Sequence, residues 1–548
     1  MKKTFLIRVA ALAVATVFAL SPVLNAYADE GDEDKIETEL TPLRDAVTSV
    51  MGDDIIVGAA CTKDELSRKA IQKLIEHHFN AVTFGNELKP DALFGYSNGK
   101  VPGTHTDELN GKEITVPNMD FSRAEYMCEI IYKWNQENPD RPIKIRGHVL
   151  VWHSQTPEWF FHEDYDKTKP YVTPDEMNVR LEWYIREVLT HFTGEDSKYK
   201  GMFYGWDVVN EAISDGTKSY RTDTENASEQ LSRDTHGSNS SWWHVYGNEQ
   251  FIINAFKYAN KYAPADLDLY YNDYNDTDLS KAFGIVKLIE AVKADPDTRI
   301  DGMGMQGHYN SNDMNDSKFE TCAKKYLETG VKVMITEWDL KSDNYDPNDE
   351  ANKVTEYTRQ AHRYEAIYKK LIKLQENGYD IAGFTFWGTI DKLSWLQTQS
   401  NVGGGSTTGN TQCPLLFDDD YHAKPAYWAF VDADKINDMQ KAFKEKEKAE
   451  KESAASTEGS TEASVDDKKI DVEVKDVDAE IKDVEVEDID VNVDVNVDDP
   501  AKEKPHKRST PMIIATCAVI AAIVFAGSLA TQKYREKHGP KKNKKDKD

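Results

Sequence analysis

An alternation of two hydrophobic patterns narrows the fold of this chain more than any other feature. Eight short runs of β-type character occupy residues 55–60, 81–85, 143–153, 203–211, 267–272, 302–308, 333–338 and 381–387. Stretches with helical periodicity separate most of them. Within 64–78, Leu66, Ala70, Leu74 and Ile75 recur at spacings of three and four. The stretches 121–135, 177–192, 251–262 and 354–374 show the same pattern. A parallel strand pair needs a crossover connection, and an intervening helix supplies one. Eight such units over residues 45–434 predict an α/β fold, a closed (β/α)8 or TIM barrel with enlarged loops. A doubly wound open sheet would carry a Gly-rich phosphate turn after its first strand, and Gly58-Ala59-Ala60-Cys61 is not one.

The charge balance excludes one class of partner. Against 67 basic side chains stand 96 acidic ones, a formal net charge of −29, which argues against a nucleic-acid binder. Five Cys in 548 residues exclude a disulfide scaffold, and the lack of a CxxC pair argues against structural zinc. Cys61, Cys128, Cys322 and Cys413 fall in the barrel region, and any pairing among them stays open.

Both ends of the chain carry apolar runs. Residues 1–28 resemble a secretory signal: Lys2, Lys3 and Arg8 precede an apolar run, and Ala26-Tyr27-Ala28 forms an A-x-A cleavage site. Residues 512–530 hold no charge, and 19 residues of helix span roughly 28 Å, close to a bilayer core. A basic tail at 532–548 follows, so the C-terminus is expected in the cytoplasm and the rest outside. The expectation is a transmembrane helix at 511–531 that anchors the chain at the extracellular face of the cell membrane. Between barrel and anchor, 435–510 reads as a charged stalk. It opens with a Lys/Glu-rich helical stretch at 438–451. Residues 466–499 then repeat Asp-Val and Glu-Val pairs, with 15 acids against 4 Lys. Like charges on one face would repel across a sheet, so this part reads as extended. A calcium-binding acidic repeat would need Gly turns that are missing here.

In a (β/α)8 barrel, chemistry sits where strands end and loops begin. Seven of the eight runs end in polar or aromatic residues. Asn86 and Lys89 follow the second, His148 and Trp152 close the third, and Asn210-Glu211 close the fourth. Asn272-Asp273-Tyr274-Asn275 follow the fifth. Gln306 and His308 end the sixth, Glu337-Trp338-Asp339 the seventh, and Trp387 the eighth, with Trp395 just beyond. Glu211 and Glu337 each emerge from an apolar run, on strands that lie nearly opposite across a barrel mouth. Paired carboxylates flanking one bond are the machinery of glycoside hydrolysis, one as proton donor and one as ionised attacking group. Trp152, Trp387 and Trp395 offer flat faces to sugar rings, and Asn86, Lys89, His148 and Gln306 offer donors to hydroxyls. The long segments 91–118, 154–174 and 212–246 are expected to wall an open cleft, with Tyr171, Trp242 and Trp243 as further stacking candidates.

The segments FNAVTFGNELK (79–89), RGHVLVWH (146–153), WDVVNEA (206–212), GMQGHY (304–309), ITEWDL (335–340) and FWGTIDKLSW (386–395) resemble the family 10 glycoside hydrolases, the endo-1,4-β-xylanases. The likeness runs in order through the barrel region. Gly85 departs from a pattern that often carries Glu, and Pro90 stands where Trp is common. The resemblance implies Glu211 as acid/base and Glu337 as nucleophile, with His308 and Asp339 holding Glu337. It implies Asn210 as the ligand of the sugar 2-hydroxyl, and Asn86, Lys89, His148, Trp152, Gln306, Trp387 and Trp395 as the substrate-binding wall. It further implies retention of configuration, with carboxyls about 5–5.5 Å apart, xylan or xylo-oligosaccharide as substrate, a monomer, and no metal or cofactor. A retaining β-1,4-glucanase on the same fold, or a noncatalytic surface carbohydrate receptor, are the alternatives.

Overall fold

The computed structural model describes residues 32–227, 237–397 and 412–459. The segments expected to be a signal sequence (1–28), most of a stalk (435–510), a transmembrane helix (511–531) and a basic tail (532–548) lie outside the described residues. Among the described residues no helix is long and apolar enough to cross a membrane.

Among the described residues there are eleven strands: β1 Ile56–Cys61, β2 Ala81–Phe84, β3 Thr104–Leu109, β4 Lys112–Pro117, β5 Lys144–Trp152, β6 Phe203–Asn210, β7 Asp268–Asp273, β8 Gly302–Met305, β9 His308–Asn310, β10 Lys332–Lys341 and β11 Ile381–Phe386. β1, β2, β5, β6, β7, β8, β10 and β11 pair in that order, all parallel, and β11 pairs back onto β1. The sheet is therefore closed, as the alternation predicts. Helices Lys69–His78, Ser122–Glu137, Pro174–Thr193, Gln250–Tyr262, Leu279–Ala294, Asp316–Leu327, Glu350–Glu376 and Pro425–Val431 follow the successive barrel strands.

Three details depart from the sequence expectation. The helical stretch 64–78 is two helices, because Thr62 and Glu65 form a reciprocal capping box that completes the short helix Lys63–Leu66 on its own. The sixth run is broken: β8 stops at Met305, and the chain resumes as β9 beside the extended end of β10, pairing Asp339 with His308. Gly307 sits at the break with φ +79°, a conformation that glycine adopts freely. The segment after β2 carries the antiparallel hairpin β3–β4 outside the barrel. After the barrel, the Lys/Glu-rich stretch is helical as expected, within Asp438–Gly459.

Most of the core lies between strands and helices. Trp338 on β10 stacks on Phe386 of β11 at 5.7 Å, and both pack on Phe430 of the last barrel helix. Burying one such side chain contributes about 1.5–3 kcal/mol. Gly147 on β5 admits the Trp206 ring, since a Cβ there would lie 2.0 Å from it. Inside the barrel the packing changes character. Ile56, Ala81, Tyr270 and Met334 form a small separate cluster. Above it the fully buried Arg146 binds Asp207 through Nε at 3.1 Å and Nη2 at 2.5 Å, with its guanidinium 4.1 Å from the Tyr270 ring. Burial works against both charges. The Arg146 charge and the hydrogen bond from His148 nevertheless hold the Asp207 pKa below its ordinary value.

Removing one partner of a buried ion pair strands the other charge. Arg146→Met is expected to lower the unfolding free energy by about 3–5 kcal/mol in urea denaturation, with Arg146→Met/Asp207→Asn recovering part of the loss. An unchanged midpoint for the single variant would contradict this reading of the barrel interior.

Candidate active site

The mouth of the barrel at the C-terminal strand ends opens into a cleft of about 730 Å³. Asn86, Lys89, His148, Trp152, Asn210, Glu211, Gln306, His308, Glu337, Trp387 and Trp395 all line it. Asp339 does not; it lies buried behind His308 and Trp395, accepting a hydrogen bond from each ring at 3.0 and 2.9 Å.

Strict alternation along β10 would send Thr336 and Glu337 to opposite faces. A bulge prevents this. Between the pairings Ile335–Phe384 and Trp338–Phe386, β10 spends one residue more than β11. Ile335 and Trp338 both enter the outer core, while Thr336 and Glu337 both bond to Asn272 inside the mouth. β6 shows a similar shift against β7 between Asp207 and Val209, after which Asn210 is aligned with Asn272. Glu211 follows directly with φ 57°, its N–H donating to the Asn272 carbonyl at 2.9 Å.

A chain of amides of fixed polarity connects the two carboxyls. Thr336 donates to Asn272 Oδ1 at 2.6 Å, so the Asn272 amide points its donors away. They reach Glu337 Oε1 at 2.8 Å and Asn210 Oδ1 at 2.9 Å. The Asn210 amide donates to Glu211 Oε1 at 3.2 Å, and Gln306 donates to the same oxygen at 2.9 Å. Trp152 Nε1 donates to Glu211 Oε2 at 2.9 Å. The donors to the Glu211 carboxyl are thus two amides and an indole.

Glu337 has a different neighbourhood. His308 Nε2 lies 3.1 Å from Glu337 Oε2, and its Nδ1 lies 3.0 Å from Asp339 Oδ2. Burial disfavours the imidazolium. The charge and hydrogen bond of Asp339, with those of Glu337, outweigh burial and raise the His308 pKa to about 10. Glu337 moves the other way: burial pushes its pKa up, but the His308 bond, the fields of His148 and His308 and the Asn272 bond bring it below the ordinary value. Glu337 is an ionised carboxylate beside a cation at neutral pH.

The surrounding wall is partly charged and partly flat. Lys89 donates to Asn86 Oδ1 at 3.1 Å and stands 5.3 Å from the Trp152 ring. Burial lowers its pKa, against the fields of Glu337, Asp91 and Glu211. His148 donates from Nδ1 to Asp207 at 3.0 Å, so the cleft floor rests on the barrel's interior ion pair. Trp387 packs edge-on to His148, and Trp395 leans on His308 at 4.8 Å.

Sequence reasoning missed part of the site. Asn272 and Tyr274 lie in a segment noted as a strand end, yet their roles depend on register. Glu65 and Gln155 also line the cleft and belong to no motif, and Leu393 lines it from within FWGTIDKLSW without having been singled out. Of the proposed extra stacking residues, Trp242 is core, packed on Phe161 and Phe251. Tyr171 is occupied by His162, His244 and Glu158, and Trp243 stacks near Tyr220. None of the three lines the cleft. Cys61, Cys128, Cys322 and Cys413 are buried free thiols.

The family model of glycosyl hydrolase family 10 matches residues 46–433. The chain belongs to glycosyl hydrolase family 10. Curated members similar to it include the bifunctional endo-1,4-beta-xylanase XylA of Ruminococcus flavefaciens, 33% identical over 372 residues that make up 68% of this chain and 32% of that protein. The beta-1,4-xylanase of Dictyoglomus thermophilum is 31% identical over 70% of this chain and 90% of its own length. The chain spans between about a third and a half of the length of the first three curated relatives. Among solved family 10 structures, that from Paenibacillus barcinonensis superposes with a TM-score of 0.56 at 29% identity, over 71% of this chain and 98% of that one. A mutant of an intracellular xylanase from Thermoanaerobacterium saccharolyticum, solved with xylotetraose, gives 0.54 at 28% identity, over 72% of this chain and 100% of that one.

A raised His308 pKa makes a stability signature. The group's favourable term is complete below pH 6.5, its ordinary pKa, and fades as pH rises toward 10. NMR titration should place the His308 midpoint near 10. Asp339→Asn should lower it by about 1–3 units and flatten the loss of stability across that window. A midpoint unmoved by Asp339→Asn would refute the assigned cause.

Proposed function

We propose that this chain is an endo-acting, retaining endo-1,4-β-xylanase held at the outer face of a cell membrane. The observation that carries the reaction is the unequal pair of carboxyls in one open cleft: Glu337 ionised against His308, and Glu211 held by neutral donors two amides away. In the first step Glu337 attacks the anomeric carbon while Glu211 gives its proton to the departing glycosidic oxygen. In the second, Glu211 takes a proton from water as that water releases the sugar from Glu337. The His308 cation keeps Glu337 unprotonated for attack and supports it as it leaves. Asn210 stands between the two carboxyls, where it would meet the 2-hydroxyl. A bond there that tightens in the transition state contributes to rate rather than to binding alone. Trp152, Trp387 and Trp395 supply apolar faces, and Lys89, Asn86 and His148 the hydroxyl donors. Xylan as substrate is supported by the xylanases among the family members named above. Anchoring is supported by the sequence alone, through the signal-like start and the apolar run 512–530 with its basic flank.

The test is a panel of xylan, cellulose and mixed-linkage glucan, assayed for reducing sugar on membrane and soluble fractions. Wild type should release sugar from xylan above all, with the activity in the membrane fraction, and Glu337→Gln should fall to background while retaining its circular dichroism. Preference for glucan would support the glucanase reading, binding without turnover the receptor reading. Wholly soluble activity in the absence of proteolysis would remove the anchor.

A further inference from the structure

The carboxyl of Glu211 is aimed by its side-chain donors, but its main chain stands beyond the end of β6 in the left-handed region, which side chains other than glycine seldom adopt. The sheet holds only its N–H, on the Asn272 carbonyl of β7; a separate group holds its carbonyl. Arg221, buried ten residues further along the following loop, donates from Nε to the Glu211 carbonyl at 2.8 Å. Its Nη1 reaches the Ser238 carbonyl at 3.2 Å, and its Nη2 reaches the Tyr274 phenol oxygen at 3.3 Å. The Arg221 N–H also donates to the Ala212 carbonyl at 2.7 Å, and Ile213 bridges Tyr220, so the loop is stapled shut directly behind Glu211. These donors go to two carbonyls and a phenol rather than to a carboxylate, an expensive way to bury a cation. Tyr274 is fixed in turn by Lys281, whose ammonium lies 3.9 Å from its ring and 2.9 Å from both Asp215 and Asp273. The guanidinium fork thus fastens the acid/base backbone, one chain end of the loop and one wall residue of the cleft at once.

We infer that Arg221 is a positioning residue for proton transfer: it keeps Glu211 turned toward the leaving-group oxygen by gripping the Glu211 carbonyl. The inference rests on the acid/base role proposed for Glu211. Loss of the grip lets the backbone relax toward ordinary φ and swings the carboxyl off line, while Glu337, bound through Asn272 and His308, stays in place.

The test compares a leaving group that needs a proton with one that does not. Wild type, Arg221→Met, Arg221→Lys and Glu211→Ala are assayed as purified full chain on xylohexaose and on a dinitrophenyl β-xylobioside. Arg221→Met should lose about 100-fold in kcat/KM on xylohexaose yet stay within about threefold of wild type on the aryl glycoside, whose departure needs no acid. On the aryl glycoside its kcat and KM should fall together as the glycosyl-enzyme accumulates for want of a base, and azide should restore kcat. Arg221→Lys, which keeps one donor, should lie between. A purely structural role would depress both substrates equally, and that result, or no loss at all, overturns the inference. Should Arg221→Met fail to fold, Arg221→Lys decides by the same ratio. If Glu211→Ala itself lacks the leaving-group dependence, the acid/base assignment falls. If Glu211→Ala shows it and the Arg221 variants do not, only the Arg221 inference falls.

Discussion

The pairing of β11 with both β10 and β1 is the constraint on which the rest depends. It turns eight separately encoded strands into a ring whose C-terminal ends converge on one mouth. Glu211 and Glu337 lie 126 positions apart, and an open sheet of the same strands would leave them on a ridge. Closure also creates an interior too narrow for much besides side chains. Here that interior is filled low down by Tyr270 and Met334, higher up by the Arg146–Asp207 pair, and at the mouth by amides and carboxylates. Polarity rises along the axis, and each layer fixes the next: Asp207 holds His148, and Asn272 holds both Asn210 and Glu337.

Two chemically identical side chains acquire different surroundings from their neighbours. Glu337 faces an imidazolium whose charge Asp339 secures from behind, and Trp395 adds a donor to that same Asp339. Glu211 receives hydrogen bonds from an indole and two amides. The direction of the amide chain matters as much as its members. Because Thr336 occupies the Asn272 oxygen, the Asn272 nitrogen must face both Asn210 and Glu337. The carboxyl separation is set by packed side chains rather than by flexible loops, which suits chemistry that tolerates little misplacement.

Much of this was legible in the amino-acid sequence. The eight β-type runs lie within a few residues of the barrel strands, because a parallel strand covered on both faces must be apolar throughout and reads as a run. Eleven of the twelve site residues line one cleft, since strand ends are where polar residues interrupt such runs. The bulges in β6 and β10 were not legible: an extra residue leaves no mark in hydrophobicity, although it decides which way Glu337 points. Asn272 was visible as a strand-end residue, but its bridging role exists only once β6, β7 and β10 are in register. The hairpin β3–β4 did leave a sign, Asn110-Gly111 between two alternating segments, a pair suited to the left-handed turn they adopt with φ 52° and 77°. Trp242 shows the opposite failure, since composition cannot tell a buried indole from a sugar platform.

The central claim is that Glu337 forms a bond to the sugar while Glu211 handles protons, and chemical trapping tests it most directly. A 2-deoxy-2-fluoro-xylobioside with a dinitrophenyl leaving group should inactivate the enzyme and add one fluoroxylobiosyl mass to the peptide that carries Glu337. A label on any other residue, or turnover that yields an inverted product with no covalent adduct, would contradict the account.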